Sequence, residues 1–230
     1  MTKILVCNWK MNGSLEYCEQ VNKFFQEKKF KTKIVVAPPS PLLSHLDRDT
    51  GFFLGAQNCY SEPDGSYTGE VSAKILRDVG VKYVILGHSE RRKYFAETSD
   101  LILKKIGIVI ENKMIPIICV RRFTEDSQYI KLIQSSLICS SLEEIIIAYE
   151  PDSAIGSGVS DSIDSIEENY SKIAESFKHN QIKPKILYGG SVNSENIKNI
   201  AEVCDGILLG KASLDIKEID KIVATLDLIS

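Results

Sequence analysis

Eight short apolar runs divide this chain, at residues 4–7, 34–37, 52–55, 83–86, 115–120, 145–149, 186–188 and 207–209. Most are rich in Ile and Val and lack the apolar–polar alternation of a half-exposed strand. Strands that read this way are buried on both faces, as in a parallel sheet covered by helices. Longer amphipathic stretches lie between most of them. Residues 15–28 set Val21, Phe24 and Phe25 at helical spacing, and 100–112, 163–177 and 195–201 behave alike. Ser194 is the expected N-cap of the last. About eight strand–helix units in 230 residues predict a closed (β/α)8 barrel, a fold usual near ~250 residues. An open doubly wound sheet is the alternative. A GxGxxG after the first strand would favour it, and none occurs. With no linker or low-complexity stretch, residues 1–230 are expected to form a single domain. The stretch between Arg121 and Glu144 reads as short and irregular, with 123–141 expected to supply a loop and a helix before the next strand.

Net charge and apolar content narrow the function. The chain carries a formal charge of -3 and no basic block, which excludes nucleic acid as an expected partner. Its 43% hydrophobic residues fill a sizeable core without any run long enough to span a bilayer. Asn8-Trp9-Lys10 cuts short the first apolar run, so no signal peptide is expected. The six cysteines, Cys7, Cys18, Cys59, Cys119, Cys139 and Cys204, form no CxxC pair and no Cys/His cluster. No zinc site is therefore expected, and free thiols in the cytoplasm are expected rather than disulfides.

A barrel of this kind builds its active site at the C-terminal ends of the strands. Polar residues that follow the apolar runs are thus the candidates. Asn8 and Lys10 follow the first, and Gly87-His88-Ser89-Glu90-Arg91-Arg92 the fourth. Glu150 follows the sixth, beside a loop containing Gly156 and Gly158. Gly189-Gly190-Ser191 follows the seventh and Gly210-Lys211-Ala212-Ser213 the eighth. On one rim, Glu150 is the candidate base and His88 the candidate electrophile or proton shuttle. Lys10 supplies positive charge. The last two loops are Gly-rich and lead into helix starts, where free N–H groups favour phosphate. Each residue also has a plainer reading. Lys10 suits a solvated strand end, Gly189-Gly190 a simple turn, and Glu90 with Arg91 a structural ion pair, which is the expectation adopted for that pair. His88 heads a helix start, where the dipole disfavours an imidazolium.

These segments resemble the triosephosphate isomerase family nearly end to end. The resemblance is carried by Asn8-Trp9-Lys10-Met11-Asn12, Gly55-Ala56-Gln57-Asn58, Gly65-Ser66-Tyr67-Thr68-Gly69-Glu70, Gly87-His88-Ser89-Glu90-Arg91-Arg92, Ala148-Tyr149-Glu150-Pro151, Tyr188-Gly189-Gly190-Ser191-Val192-Asn193 and Gly210-Lys211-Ala212-Ser213-Leu214. It implies a TIM barrel that interconverts dihydroxyacetone phosphate and glyceraldehyde 3-phosphate through an enediolate. In that reading Glu150 moves the proton between carbons. Neutral His88 polarises the carbonyl, and Lys10 with Asn8 stabilises the developing oxyanion. Backbone amides of Gly156, Ser191, Gly210 and Lys211 hold the phosphate, and no cofactor is needed. A lid after Glu150 excludes water, which suppresses loss of phosphate from the enediolate. The loop around Thr68 implies a homodimer in which that loop reaches a neighbour's pocket beside Lys10.

The chain departs from the family pattern at three places. The lid carries Ser153 where Trp is usual and Val159 where Lys is usual. Arg121-Arg122 follow the fifth strand where Gly-Glu is usual, and that Glu is the usual partner of the missing Trp. Lys211 stands where a second Gly is common, so its N–H serves only if the position does not demand a positive φ. The altered lid leaves two alternatives beside the triose phosphate reading. One is an isomerase of a four-carbon ketose phosphate. The other is a catalytically weakened sugar-phosphate-binding barrel.

Overall fold

The computed structural model describes residues 2–48, 50–137, 144–151, 153–154, 158–178 and 183–230. Among them eight parallel strands close into a barrel in chain order: β1 (Ile4–Asn8), β2 (Lys33–Ala37), β3 (Phe53–Ala56), β4 (Tyr83–Leu86), β5 (Ile115–Val120), β6 (Ile146–Tyr149), β7 (Lys185–Tyr188) and β8 (Gly206–Leu209). Each starts and ends within one residue of an expected apolar run. Strand β8 pairs with β1, Ile4 opposite Gly206, so no sheet edge is exposed. A Cβ at Gly206 would lie 2.0 Å from the Ile4 carbonyl oxygen, and only glycine lets this seam close.

The unbroken apolar character of the strands now has a cause. Within each strand alternate residues face opposite ways. One set, including Ile4, Val6, Tyr83, Ile85, Ile117 and Leu187, fills the barrel axis. The other, including Leu5, Val84, Ile118, Ile147 and Ile207, packs outward against the helices. Both sets are buried, and each large aliphatic side chain contributes about 1.5–3 kcal/mol on leaving water.

The outer layer comprises α1 (Leu15–Glu27), α2 (Ala73–Asp78), α3 (Ser89–Phe95), α4 (Ser99–Glu111), α5 (Phe123–Leu137), α6 (Ile163–Ser176), α7 (Ile197–Val203) and α8 (Ile216–Ile229). Short 3-10 turns at Ser40–His45 and Lys211–Leu214 complete it. Side-chain oxygens cap several starts: Ser14 accepts from Tyr17 N–H, Thr98 from Leu101 N–H and Ser162 from Ser165 N–H.

Helix starts depart from the sequence reading at two places. Residues 123–137, read as irregular, supply the expected helix, of 15 residues, directly after Arg121-Arg122. Its start lacks a Ser, Thr, Asp or Asn at the cap. Instead the Asp126 carboxylate reaches back to the Arg121 N–H at 2.8 Å, and Asn169 of α6 accepts from Phe123 N–H at 2.9 Å. Ser194 does not cap α7, which begins at Ile197 with Asn196 at its cap. The Asn193 side chain accepts from the N–H groups of Glu195 and Asn196, while Ser194 Oγ donates to Glu218 of α8 at 3.1 Å.

Candidate active site

Strand parity selects the residues that crown the barrel. Val6, Ala148, Leu187 and Leu208 face the axis. Two residues further along, in the same register, stand Asn8, Glu150, Gly189 and Gly210. Each of these is a candidate from the sequence, and they meet on one rim.

Glu150 and His88 are both nearly excluded from solvent, and His88 Nε2 lies 3.2 Å from Glu150 Oε1. Glu150 Oε2 accepts the Ser89 N–H at 3.4 Å, and the buried Cys119 thiol lies beside the same carboxylate. A Cβ on Gly189 would lie 2.7 Å from Glu150 Cγ, so glycine here makes room for the carboxylate. His88 caps α3: its Nδ1 accepts the Glu90 N–H at 3.2 Å, which fixes the neutral ring with its proton on Nε2. Two influences then compete. Burial and the Glu90 N–H oppose an imidazolium, whereas the Glu150 carboxylate supports one and moves His88 above its ordinary range. For Glu150, burial opposes the charge, and His88, Cys119 and the Ser89 N–H reverse that and hold the carboxyl below its ordinary range.

Lys10 occupies the left-handed region, φ 53°, which is uncommon for a side chain of this size. Three neighbours maintain it. Its N–H donates to Asn8 Oδ1 at 3.0 Å, its carbonyl accepts from Gln57 Nε2 at 2.9 Å, and its Nζ meets Glu90 Oε1 at 2.7 Å. Gln57 is therefore a positioning residue that the reading of strand ends did not single out. Glu90 and Arg91 do not pair with each other, contrary to expectation. On consecutive helical positions they face apart. Glu90 takes Lys10, and Arg91 Nε takes Glu97 at 2.5 Å.

Gly210 sits against the Lys10 stem. Its carbonyl accepts from Ser213 Oγ at 2.7 Å, and the same hydroxyl reaches the Asn8 carbonyl at 3.4 Å. Lys211 opens a 3-10 turn without a positive φ, which resolves the doubt raised by its size. Ser191 Oγ donates to the Ala154 carbonyl at 2.7 Å and accepts from Gly158 N–H at 3.2 Å. Gly156 lies outside the described residues, as does Cys139. The other five cysteines are buried and unpaired, and no cluster suited to a metal occurs among the described residues.

A sequence model of the family described as Triosephosphate isomerase matches residues 3–226. A triosephosphate isomerase of Francisella philomiragia is 36% identical over 249 residues, covering 97% of this chain and 96% of that protein. One of Aquifex aeolicus is 39% identical over 246 residues, covering 97% and 99%.

The chain belongs to the triosephosphate isomerase family.

In this member of the triosephosphate isomerase family, Asn8, Lys10 and His88 line one cleft, and His88 joins it to Glu150. A cleft of about 640 Å³ runs outward from Asn8, Lys10, His88 and Glu90 to Met11, Tyr94 and Phe95.

Proposed function

We propose that this chain, as one (β/α)8 domain over residues 1–230, interconverts dihydroxyacetone phosphate and D-glyceraldehyde 3-phosphate through an enediolate. The observation that carries the reading is the buried Glu150–His88 pair at 3.2 Å, in register with the barrel axis. A carboxylate base beside an imidazole that donates from Nε2 suits proton abstraction next to a carbonyl. The pairing of a glutamate base with a neutral imidazole is already the standard example of this chemistry.

Substrate that enters must part the pair, because 3.2 Å leaves no space between them. Parting removes from Glu150 the strongest of the neighbours that lower its pKa, while burial continues to raise it. The base thus strengthens as it meets its proton. His88 loses the anion that supports its charge, and burial together with the Glu90 N–H keeps it neutral. Glu150 carries the proton between the two carbons, and His88 Nε2–H polarises the carbonyl and moves protons between the oxygens. Lys10 and Asn8 stabilise the oxyanion. Ser191, Gly210 and Lys211 hold the phosphate, together with Gly156 of the undescribed stretch. No cofactor takes part in this scheme. A coupled assay on the purified protein tests it, with kcat/KM compared for three- and four-carbon ketose phosphates. Conversion of the triose phosphate is expected to dominate. Absence of turnover would remove the reading, and preference for the four-carbon substrate would change its substrate.

Gly189→Ala is expected to displace Glu150 with little change in fold. The new Cβ, 2.7 Å from Glu150 Cγ, meets a side chain able to swing away, and a misplacement near 1 Å lowers kcat by about 10²-fold. Steady-state kinetics beside circular dichroism check this, and an unchanged kcat would contradict it.

A homodimer accompanies this reading. Met11, Tyr94 and Phe95 expose 95%, 67% and 64% of their surface at the mouth of the cleft beside Lys10. Thr68 is exposed at the tip of loop 65–70. A second copy that inserts this loop into the cleft covers the apolar rim of both. Light scattering at micromolar concentration is expected to return twice the monomer mass, and a monomer would overturn the arrangement. No described helix is long and apolar enough to cross a membrane, and the proposed location is the cytoplasm, without nucleic acid.

A further inference from the structure

Arg122 and Ser153 stand where the family usually has Glu and Trp, and the two replacements meet. Arg122 Nη2 donates to Ser153 Oγ at 3.4 Å. The same nitrogen lies 3.0 and 3.2 Å from the two carboxylate oxygens of Asp161. One guanidinium, at the end of β5, therefore holds both sides of the connection between β6 and α6.

Asp161 is a convergence point. Tyr149, the residue before Glu150, donates its hydroxyl to Asp161 Oδ2 at 3.0 Å, and Ser165 of α6 does so at 2.8 Å. The Asp161 N–H donates to the Tyr188 hydroxyl at 2.7 Å. The Asp161 side chain is 13% exposed and that of Arg122 38%. On the opposite side Ser191 binds Ala154 and Gly158 of the same connection. Described residues of the connection are thus held by a candidate phosphate residue, Ser191, and by a charge, Arg122. An aromatic contact acts through burial and is indifferent to salt, whereas a part-exposed ion pair weakens as salt rises.

We infer that Arg122 is a positioning residue for isomerisation, fixing both ends of the β6–α6 connection through Asp161 and Ser153 and doing so by its charge. This rests on the isomerase reading above. Arg122 touches no reacting group. It acts by raising the fraction of molecules whose β6–α6 connection is set to receive substrate, so losing it raises the apparent dissociation constant.

The test compares wild type, Arg122→Met, Arg122→Lys and Asp161→Asn, with kcat and KM measured separately from low salt to about 0.5 M KCl. At low salt Arg122→Met and Asp161→Asn are expected to raise KM about fivefold, in the upper range of a part-exposed pair, with kcat nearly unchanged. Arg122→Lys recovers most of the loss. Because salt also weakens phosphate binding in every variant, the informative quantity is the ratio of wild-type to Arg122→Met kcat/KM. That ratio falls towards one as salt rises. A salt-independent ratio, wild-type KM in both Arg122→Met and Asp161→Asn, or a fall in kcat at constant KM with a lowered Tm would overturn the inference. The last pattern marks a purely structural role. An inactive wild type would remove the isomerase reading and this inference with it. An active wild type beside unaffected variants would remove this inference alone.

Discussion

Glu150→Gln is expected to lower kcat for triose phosphate isomerisation by about 10²- to 10⁴-fold while the barrel stays folded. The amide keeps the shape of the carboxylate, beside Gly189, which lies against the Glu150 stem. It retains an oxygen to accept from the Ser89 N–H. It loses the lone-pair basicity that proton abstraction needs. Two further consequences separate loss of the base from general damage. Without the carboxylate, His88 loses its larger raising influence and keeps only that of Glu90 against burial, so its titration, followed by NMR, is expected to fall below the wild-type value. Stability changes with pH in a defined window. In wild type His88 sits above its ordinary 6.5 and Glu150 below its ordinary 4.5. The imidazolium contribution is complete below 6.5 and vanishes as pH rises through the folded His88 value. The carboxylate contribution is complete above 4.5 and vanishes as pH falls through the folded Glu150 value. The pair therefore stabilises the unliganded fold most between those limits, and the Tm difference from Glu150→Gln should peak there. Near-full turnover in the variant would sink the base assignment. A Tm difference that does not vary with pH would sink the ion-pair account.

Strand parity explains why so much of this site was readable. Once a run such as Ile146–Tyr149 is recognised as a strand buried on both faces, its last axis-facing residue fixes the next one. Ala148 leads to Glu150 and Val6 to Asn8, with no need of long-range information. What was missed depends on contacts far apart in sequence. Glu90 and Arg91 are adjacent, but their partners are Lys10, 80 residues away, and Glu97, and only the folded barrel brings Lys10 near. Gln57 holds the Lys10 carbonyl across 47 residues. The start of α5 was hidden because its N–H groups find Asp126 and Asn169 rather than a capping side chain at Arg122. Ser194 has the right residue type for a cap, but Glu218 of another helix engages its hydroxyl first. Local propensity yields to a tertiary partner in each case.

Lys10→Met is expected to lower kcat/KM by about 10²- to 10³-fold, the cost of removing one preorganised donor from a developing oxyanion. The cleft offers few positive charges. Among its described lining residues only Lys10 and Arg91 are cationic, and Arg91 is committed to Glu97 at 2.5 Å. Glu90 and Glu150 are both nearby, and without Lys10 no free cation among the cleft's described residues offsets their repulsion of a phosphate dianion. Lys10 Nζ is 2.7 Å from Glu90 in the unliganded protein, so substrate must draw it away from that partner. The pair is part-exposed on both sides, with side-chain exposures of 28% and 39%, which makes the exchange inexpensive. Methionine keeps a stem of similar length and leaves Glu90 in contact with water. Both KM and kcat should suffer, because the ammonium neutralises bound substrate and further stabilises the enediolate. Lys10→Gly separates charge from backbone strain. Glycine adopts φ near 53° without the penalty carried by a side chain, so this variant should be more stable than Lys10→Met by about 1 kcal/mol. Its activity should be equally low. If Lys10→Gly regained activity while Lys10→Met did not, the backbone rather than the ammonium would be what the site needs. If Lys10→Met kept wild-type kcat/KM, the oxyanion would have to be stabilised by His88 and Asn8 alone.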